Sequence, residues 1–185
     1  MARRVLLVRH TEVALGWRGR CYGRSYMGLS RASARAARDI VDRWNTPVDA
    51  IVHSGSRRAA TLAGWLGTRL GVDPTVDPDW QERDFGTWEG RSWQAIWRET
   101  GTAMDGMLTA PESFRPGGGE TTRNLVDRAA RAWSGLPDGD RIVVVAHGGP
   151  IAAIRLLQAR AGISQIAAFI PAPGSVTEIC RDDAL

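Results

Sequence analysis

Four apolar residues, Val5-Leu6-Leu7-Val8, are bounded by basic residues and stop abruptly at Arg9-His10. An unbroken apolar run of that length reads as a strand buried on both faces, as in parallel sheets. Residues 49–53, 75–76, 141–146, 167–170 and 176–180 read as further strands, with 141–146 central because of its β-branched content. The segments between them change period. Ser30 caps a predicted helix running to about residue 44, with Ala34, Ala37, Ile40, Val41 and Trp44 at helical spacing. Further helices are predicted at about 57–70, closed by Gly71, at about 92–99, from Thr121 or Thr122 to about 133, and at 150–157 with Pro150 in its first turn. Residues 101–115 have weak periodicity and are left unassigned. Alternating strands and helices predict an α/β fold, a mostly parallel doubly wound sheet with right-handed crossovers.

Composition narrows this picture only a little. The 185 residues show no linker-like stretch, so one domain, 1–185, is expected. No apolar run is long enough to span a bilayer, and Met1-Ala2-Arg3-Arg4 leads into the first strand without a signal-type segment; a cytoplasmic protein is expected, without a membrane partner. Cys21 and Cys180 lack metal-ligand spacing and are expected as free thiols. All 24 basic residues are arginine and the formal charge is +4, yet no nucleic-acid-binding pattern gathers them. Anionic small molecules are the better match.

The candidate chemistry gathers at three predicted strand ends: Arg9-His10, residues 54–58, and His147-Gly148-Gly149. Only three histidines occur, and two of them directly follow apolar strands. His53 is read as structural. Phosphate accounts for the set. Guanidinium groups grip its oxygens in pairs, helix N-termini after Ser54 and Gly149 offer backbone N–H groups, and a neutral imidazole can attack phosphorus. A metal would need closely spaced carboxylate or histidine ligands and would be repelled by the arginines, so neither a metal nor a cofactor is expected. Two long loops complete the site: residues 12–29, with the run Arg20-Cys21-Tyr22-Gly23-Arg24-Ser25-Tyr26, and the acid- and aromatic-rich 81–90. Tyr22, Tyr26, Trp88 and Trp93 either line a pocket or pack in a core, and packing is the commoner use of such rings.

The chain resembles the histidine phosphatase, or phosphoglycerate mutase-like, superfamily. The matching pieces are V-R-H-T at 8–11, S-G-S-R-R-A at 54–59, Q-E-R-D-F-G-T-W-E-G at 81–90, P-G-G-G-E-T at 116–121 and V-A-H-G-G at 145–149. They stand in the family's order across nearly the whole chain. The resemblance implies a three-layer α/β/α sandwich and a cofactor-independent phosphomonoesterase acting on a small organic phosphate. It makes His10 the nucleophile that becomes a phosphohistidine, with Arg9, Arg58, His147 and Gly148 binding the phosphate. Arg58 is selected over its neighbour Arg57 because it follows Ser54 by four positions and precedes Ala59. Glu82 becomes the acid that protonates the leaving oxygen. The run R-C-Y-G-R-S-Y is close to that of α-ribazole phosphatases, which names α-ribazole phosphate as a substrate and Arg20, Tyr22, Gly23 and Arg24 as substrate-binding. Tyr26, Gly28, Ser33 and Ala36 depart from the family pattern on that side. A phosphoglycerate mutase and a non-catalytic phosphate-binding protein are the alternatives. Oligomeric state is not legible.

Overall fold

The computed structural model describes residues 3–181. Strands β1 (Arg3–Arg9), β2 (Ala50–His53), β3 (Thr75–Val76), β4 (Arg141–Ala146) and β5 (Val176–Arg181) form one sheet in the order β3-β2-β4-β1-β5. The first four run parallel, and β5 lies antiparallel along the outer side of β1. Helices α1 (Arg31–Asp42), α2 (Arg57–Leu70), α3 (Trp93–Thr100), α4 (Gly106–Thr109), α5 (Thr122–Ser134) and α6 (Gly148–Gln158) connect and cover the strands. None of the described helices is long and apolar enough to cross a membrane.

The central strand shows how the layers form. Ile142, Val144 and Ala146 of β4 join a core with Leu125, Ala129 and Ile151 of α5 and α6 on one face. Val143 and Val145 join a second core with Ala37, Val41, Leu62 and Leu66 of α1 and α2 on the other. Period-two alternation inside a wholly apolar run therefore feeds two cores, giving the three-layer α/β/α sandwich. Each fully buried branched side chain contributes roughly 1.5–3 kcal/mol, so the five apolar positions of β4 anchor the fold.

Local signals set the helix ends. Ser30 Oγ accepts from Ser33 N at 3.0 Å, and Gly71 takes the left-handed conformation (φ 70°) that closes α2. At α5, Thr121 Oγ1 accepts from Asn124 N while the Asn124 side chain accepts from Thr121 N, a reciprocal cap.

One expected strand is wrong. Residues 167–170 form no strand; 167–169 end a 3-10 helix, Ile163–Phe169, lying against α6, and Ile170 follows as its C-cap. Ile163, Ile166 and Phe169 recur every third residue, the 3-10 period, so all three turn toward the core. Pro171 and Pro173 follow, and neither has an N–H to offer a sheet. Residues 101–115, unassigned from sequence, hold a 3-10 turn, Gly101–Asp105, followed by the single turn of α4, which packs against Ile163–Phe169.

β1 and β4 are neighbours in the sheet, yet α1 leaves β1 toward one face and α6 leaves β4 toward the other. Such divergence opens a crevice at the strands' carboxyl ends. His10 and His147 are the first residues beyond those two strands.

Candidate active site

The two imidazoles stand 5.0 Å apart, centroid to centroid, edge toward face, and are 1% and 0% exposed. His10 Nδ1 lies 2.6 Å from the Thr11 carbonyl oxygen, a contact that requires the ring to donate there. The proton thus sits on Nδ1 and leaves a lone pair on Nε2, which accepts from Arg58 Nε at 3.2 Å. Burial, then the charge of Arg58, pushes the His10 imidazole down to about 3, against the opposing pull of the Thr11 carbonyl. His147 is held well below the ordinary histidine range, by burial first and then by His10, Arg58 and Arg9. Its Nε2 contacts Ser54 Oγ at 2.8 Å and Ser56 Oγ at 3.2 Å, whereas its Nδ1 has no partner. Both rings are neutral at pH 7, and one presents a nucleophilic nitrogen.

Two arginines flank them. Arg58, on the first turn of α2, is fully buried and donates from Nη2 to Gly23 O (2.6 Å) and from Nη1 to Ser25 O (3.0 Å). It therefore ties the 22–27 loop to His10. Arg57 points elsewhere, its guanidinium 6.0 Å from the Tyr26 ring. The geometry thus favours Arg58 over Arg57 beside the histidines. Arg9 donates to the Pro171 carbonyl, and its buried Nε has no partner. An ideal Cβ on Gly148 would lie 3.2 Å from Arg9 Cζ, so glycine there lets the guanidinium reach the first turn of α6.

Glu82 meets the same turn. Its two carboxylate oxygens accept from Gly149 N at 3.1 and 3.2 Å, and Oε1 also accepts from Arg83 N at 2.9 Å. Its backbone is gripped from behind. Arg128, 7% exposed, donates to the carbonyls of Asp79, Gln81 and Glu82 and pairs with Glu120 at 2.5 Å. Glu120 N donates to Asp84 O, and Asp84 N donates back to Glu120 Oε1. The glycine-rich 116–119 loop packs its backbone on the 84–88 turn: Gly117 (φ 57°) would drive any Cβ into Phe85 O. The other nearby acids serve the loops. Glu89 accepts from Arg24 N and Ser25 Oγ, and Asp84 accepts from Gly86 N.

Beside Arg9, Glu82 and Gly148 opens a cavity of about 330 Å³. Arg20, Tyr22 and Gly23 line it, and so does Trp93. Arg24 does not; it pairs with Asp84 (3.7 Å) and Glu120 (3.6 Å). Trp88 is buried in a small core with Cys21 and Ile96, and Tyr26 is 77% exposed away from the cavity. His53 is structural, its Nδ1 accepting from Gly55 N. Cys21 and Cys180 are free. Sequence reasoning missed the Ser54 and Ser56 contacts to His147, the Arg128–Glu120 brace, and the walls supplied by Met107, Leu108, Ile166 and Ile170. Glu120 stood in a matching motif without a role read for it; Met107 and Leu108 lay in the segment without readable periodicity, and Ile170 in the strand expected at 167–170.

The family model described as the histidine phosphatase superfamily (branch 1) matches residues 5–184. The glucosyl-3-phosphoglycerate phosphatase of Mycobacterium tuberculosis is 32% identical over 180 residues, covering 83% of this chain and 74% of that protein. The metal-independent phosphoserine phosphatase of Arabidopsis thaliana is 29% identical over 160 residues, covering 82% and 67%. The α-ribazole phosphatase of Shigella flexneri superposes with a TM-score of 0.83 at 20% identity, over 97% of this chain and 91% of that one, a likeness of fold.

Proposed function

The chain belongs to the histidine phosphatase superfamily, branch 1, and on that premise we propose that it hydrolyses a small organic phosphomonoester through a phosphohistidine formed on His10. One observation carries this reading: the unprotonated Nε2 of a neutral His10 lies beside Arg58, where two further buried nitrogens, Arg9 Nε and His147 Nδ1, have no partner. A tetrahedral dianion satisfies such a set.

In the first step His10 Nε2 attacks phosphorus as the bond to the leaving oxygen breaks, and Glu82 gives that oxygen a proton. Arg9, Arg58, His147 and the Gly148 N–H stabilise charge on the equatorial oxygens. In the second step water attacks the phosphohistidine, Glu82 takes its proton, and His10 departs neutral. The positive charge comes from arginines and backbone dipoles, and among the described residues no cluster of three or more His, Cys, Asp or Glu offers a metal a site. The substrate is a small molecule met in the cytoplasm, with neither nucleic acid nor membrane as partner, and residues 1–185 act as one domain. α-Ribazole phosphate, suggested by the 20–26 run and carrying a flat apolar base, is the leading named ester. Phosphate release from it and from p-nitrophenyl phosphate in the presence of EDTA is the test. Release is expected; no release from any phosphomonoester, or release only with an added divalent metal, would overturn the reading.

A further inference from the structure

Resting on the phosphatase reading, we propose that the cavity beside Glu82 selects esters whose leaving group carries an apolar, preferably aromatic, body. Polyols and amino acids, the groups in the substrates that name the glucosyl-3-phosphoglycerate and phosphoserine phosphatases, fit it poorly. The walls carry this inference. Phe85 and Trp93 meet edge to face at 5.5 Å, Met107 and Leu108 come from α4, and Ile166 and Ile170 come from the 3-10 segment, Ile163–Phe169, and the residue just after it. Leu108 and Ile170 are 38% and 49% exposed, large apolar surface that a ligand in the cavity would cover. No Asp, Asn, Gln, Ser or Thr side chain borders this space among the described residues.

Its polar neighbours are few: Tyr22 brings one phenol hydroxyl, and the guanidinium groups of Arg83 and Arg20 are partly engaged elsewhere. Arg83 donates to Thr122 Oγ1 at 2.8 Å and lies 5.8 Å from the Phe85 ring. Arg20 donates to the carbonyls of Gly16 and Gly90. Arg9 and Glu82 belong to the reacting end. A sugar or a serine would therefore bring hydroxyls, or an ammonium and a carboxylate, into a space with few groups to receive them, and each unpaired polar group costs binding. An aromatic ring instead covers apolar wall and meets Phe85 and Trp93 in their preferred geometry. Met107 lets the wall adapt to its outline.

Leaving-group acidity must not confound the test, so the esters compared are those of primary alcohols. The kcat/KM for 2-phenylethyl phosphate should exceed that for glycerol 1-phosphate, phosphoserine and glucose 6-phosphate by about 100-fold. Ile170→Asn should narrow that ratio about tenfold. Equal or faster turnover of a polar ester would overturn the inference and leave the phosphatase reading standing. If none of these esters is hydrolysed, the phosphatase reading is what fails, and binding decides the cavity. Calorimetry on the His10→Ala protein should find 2-phenylethyl phosphate bound at least about tenfold more tightly than glycerol 1-phosphate, and equal affinity would overturn the apolar site.

Discussion

His10, Arg58 and His147 are at most 1% exposed and sit on the ends of β1 and β4 and the first turn of α2. The cavity wall next to them is another kind of structure: Leu108 and Ile170 are more than a third exposed, the one on the single turn of α4 and the other just after the seven-residue 3-10 segment. At the first place, the central strands of the sheet dictate where each side chain stands. At the second, short turns hold the residues, and such turns tolerate change without disturbing the sheet. A family can therefore keep one reaction while the leaving group varies, because chemistry and selectivity rest on different parts of the fold.

Substitutions that act on one end and spare the other sharpen this contrast. Arg58→Ala strikes the phosphoryl group itself, so single-turnover rates should fall about 10⁴-fold for alkyl and aryl esters alike. Thermal melting of the same variant reports separately on the 22–27 loop that Arg58 holds. Glu82→Gln should slow an alkyl ester about 10³-fold but p-nitrophenyl phosphate far less, because nitrophenolate departs without a proton. Equal losses would move the acid role away from Glu82. Arg128→Met tests the brace behind Glu82. It strips donors from the Gln81 and Glu82 carbonyls and leaves Glu120 without its buried partner, a loss of about 3–5 kcal/mol of stability. Its activity should fall about tenfold, more on alkyl than aryl esters, because the positioning of the proton donor is what suffers.

The smallest effect is read in pH. His10 titrates at about 3 in the folded protein against 6.5 unfolded, so between these values the unfolded chain binds the extra proton. Stability is complete above pH 6.5 and is lost as pH falls, by about 2 kcal/mol at pH 5 from this residue alone. Melting followed from pH 7 to pH 5 should show a shallower decline for His10→Asn than for the parent. Parallel curves would mean that His10 is not buried neutral.

What the chain made legible follows the same division. β1 and β4 are apolar runs ending in histidine, α2 ends on Gly71, and Ser30 and Thr121 announce their helices, all strong local signals that the structure keeps. Ile163–Phe169 misled because its last three residues, with Ile170 after them, look extended, and only the three-residue spacing of Ile163, Ile166 and Phe169 reveals the 3-10 turn. The Arg128–Glu120 pair was hidden for another reason. Its partners are backbone carbonyls nearly 50 positions away, and carbonyls leave no mark in a sequence. Arg24, expected at the substrate, was drawn instead to Asp84 and Glu120, charges whose proximity only the fold creates.

The most direct measurement is rapid quenching of the enzyme during turnover of a ³²P-labelled phosphomonoester. Label that is acid-labile and base-stable, bound to the parent protein and absent from His10→Ala, is the expected result. A His10→Ala protein that still releases phosphate at the parent rate, or a parent that never carries label under single-turnover conditions, would contradict a phosphohistidine on His10.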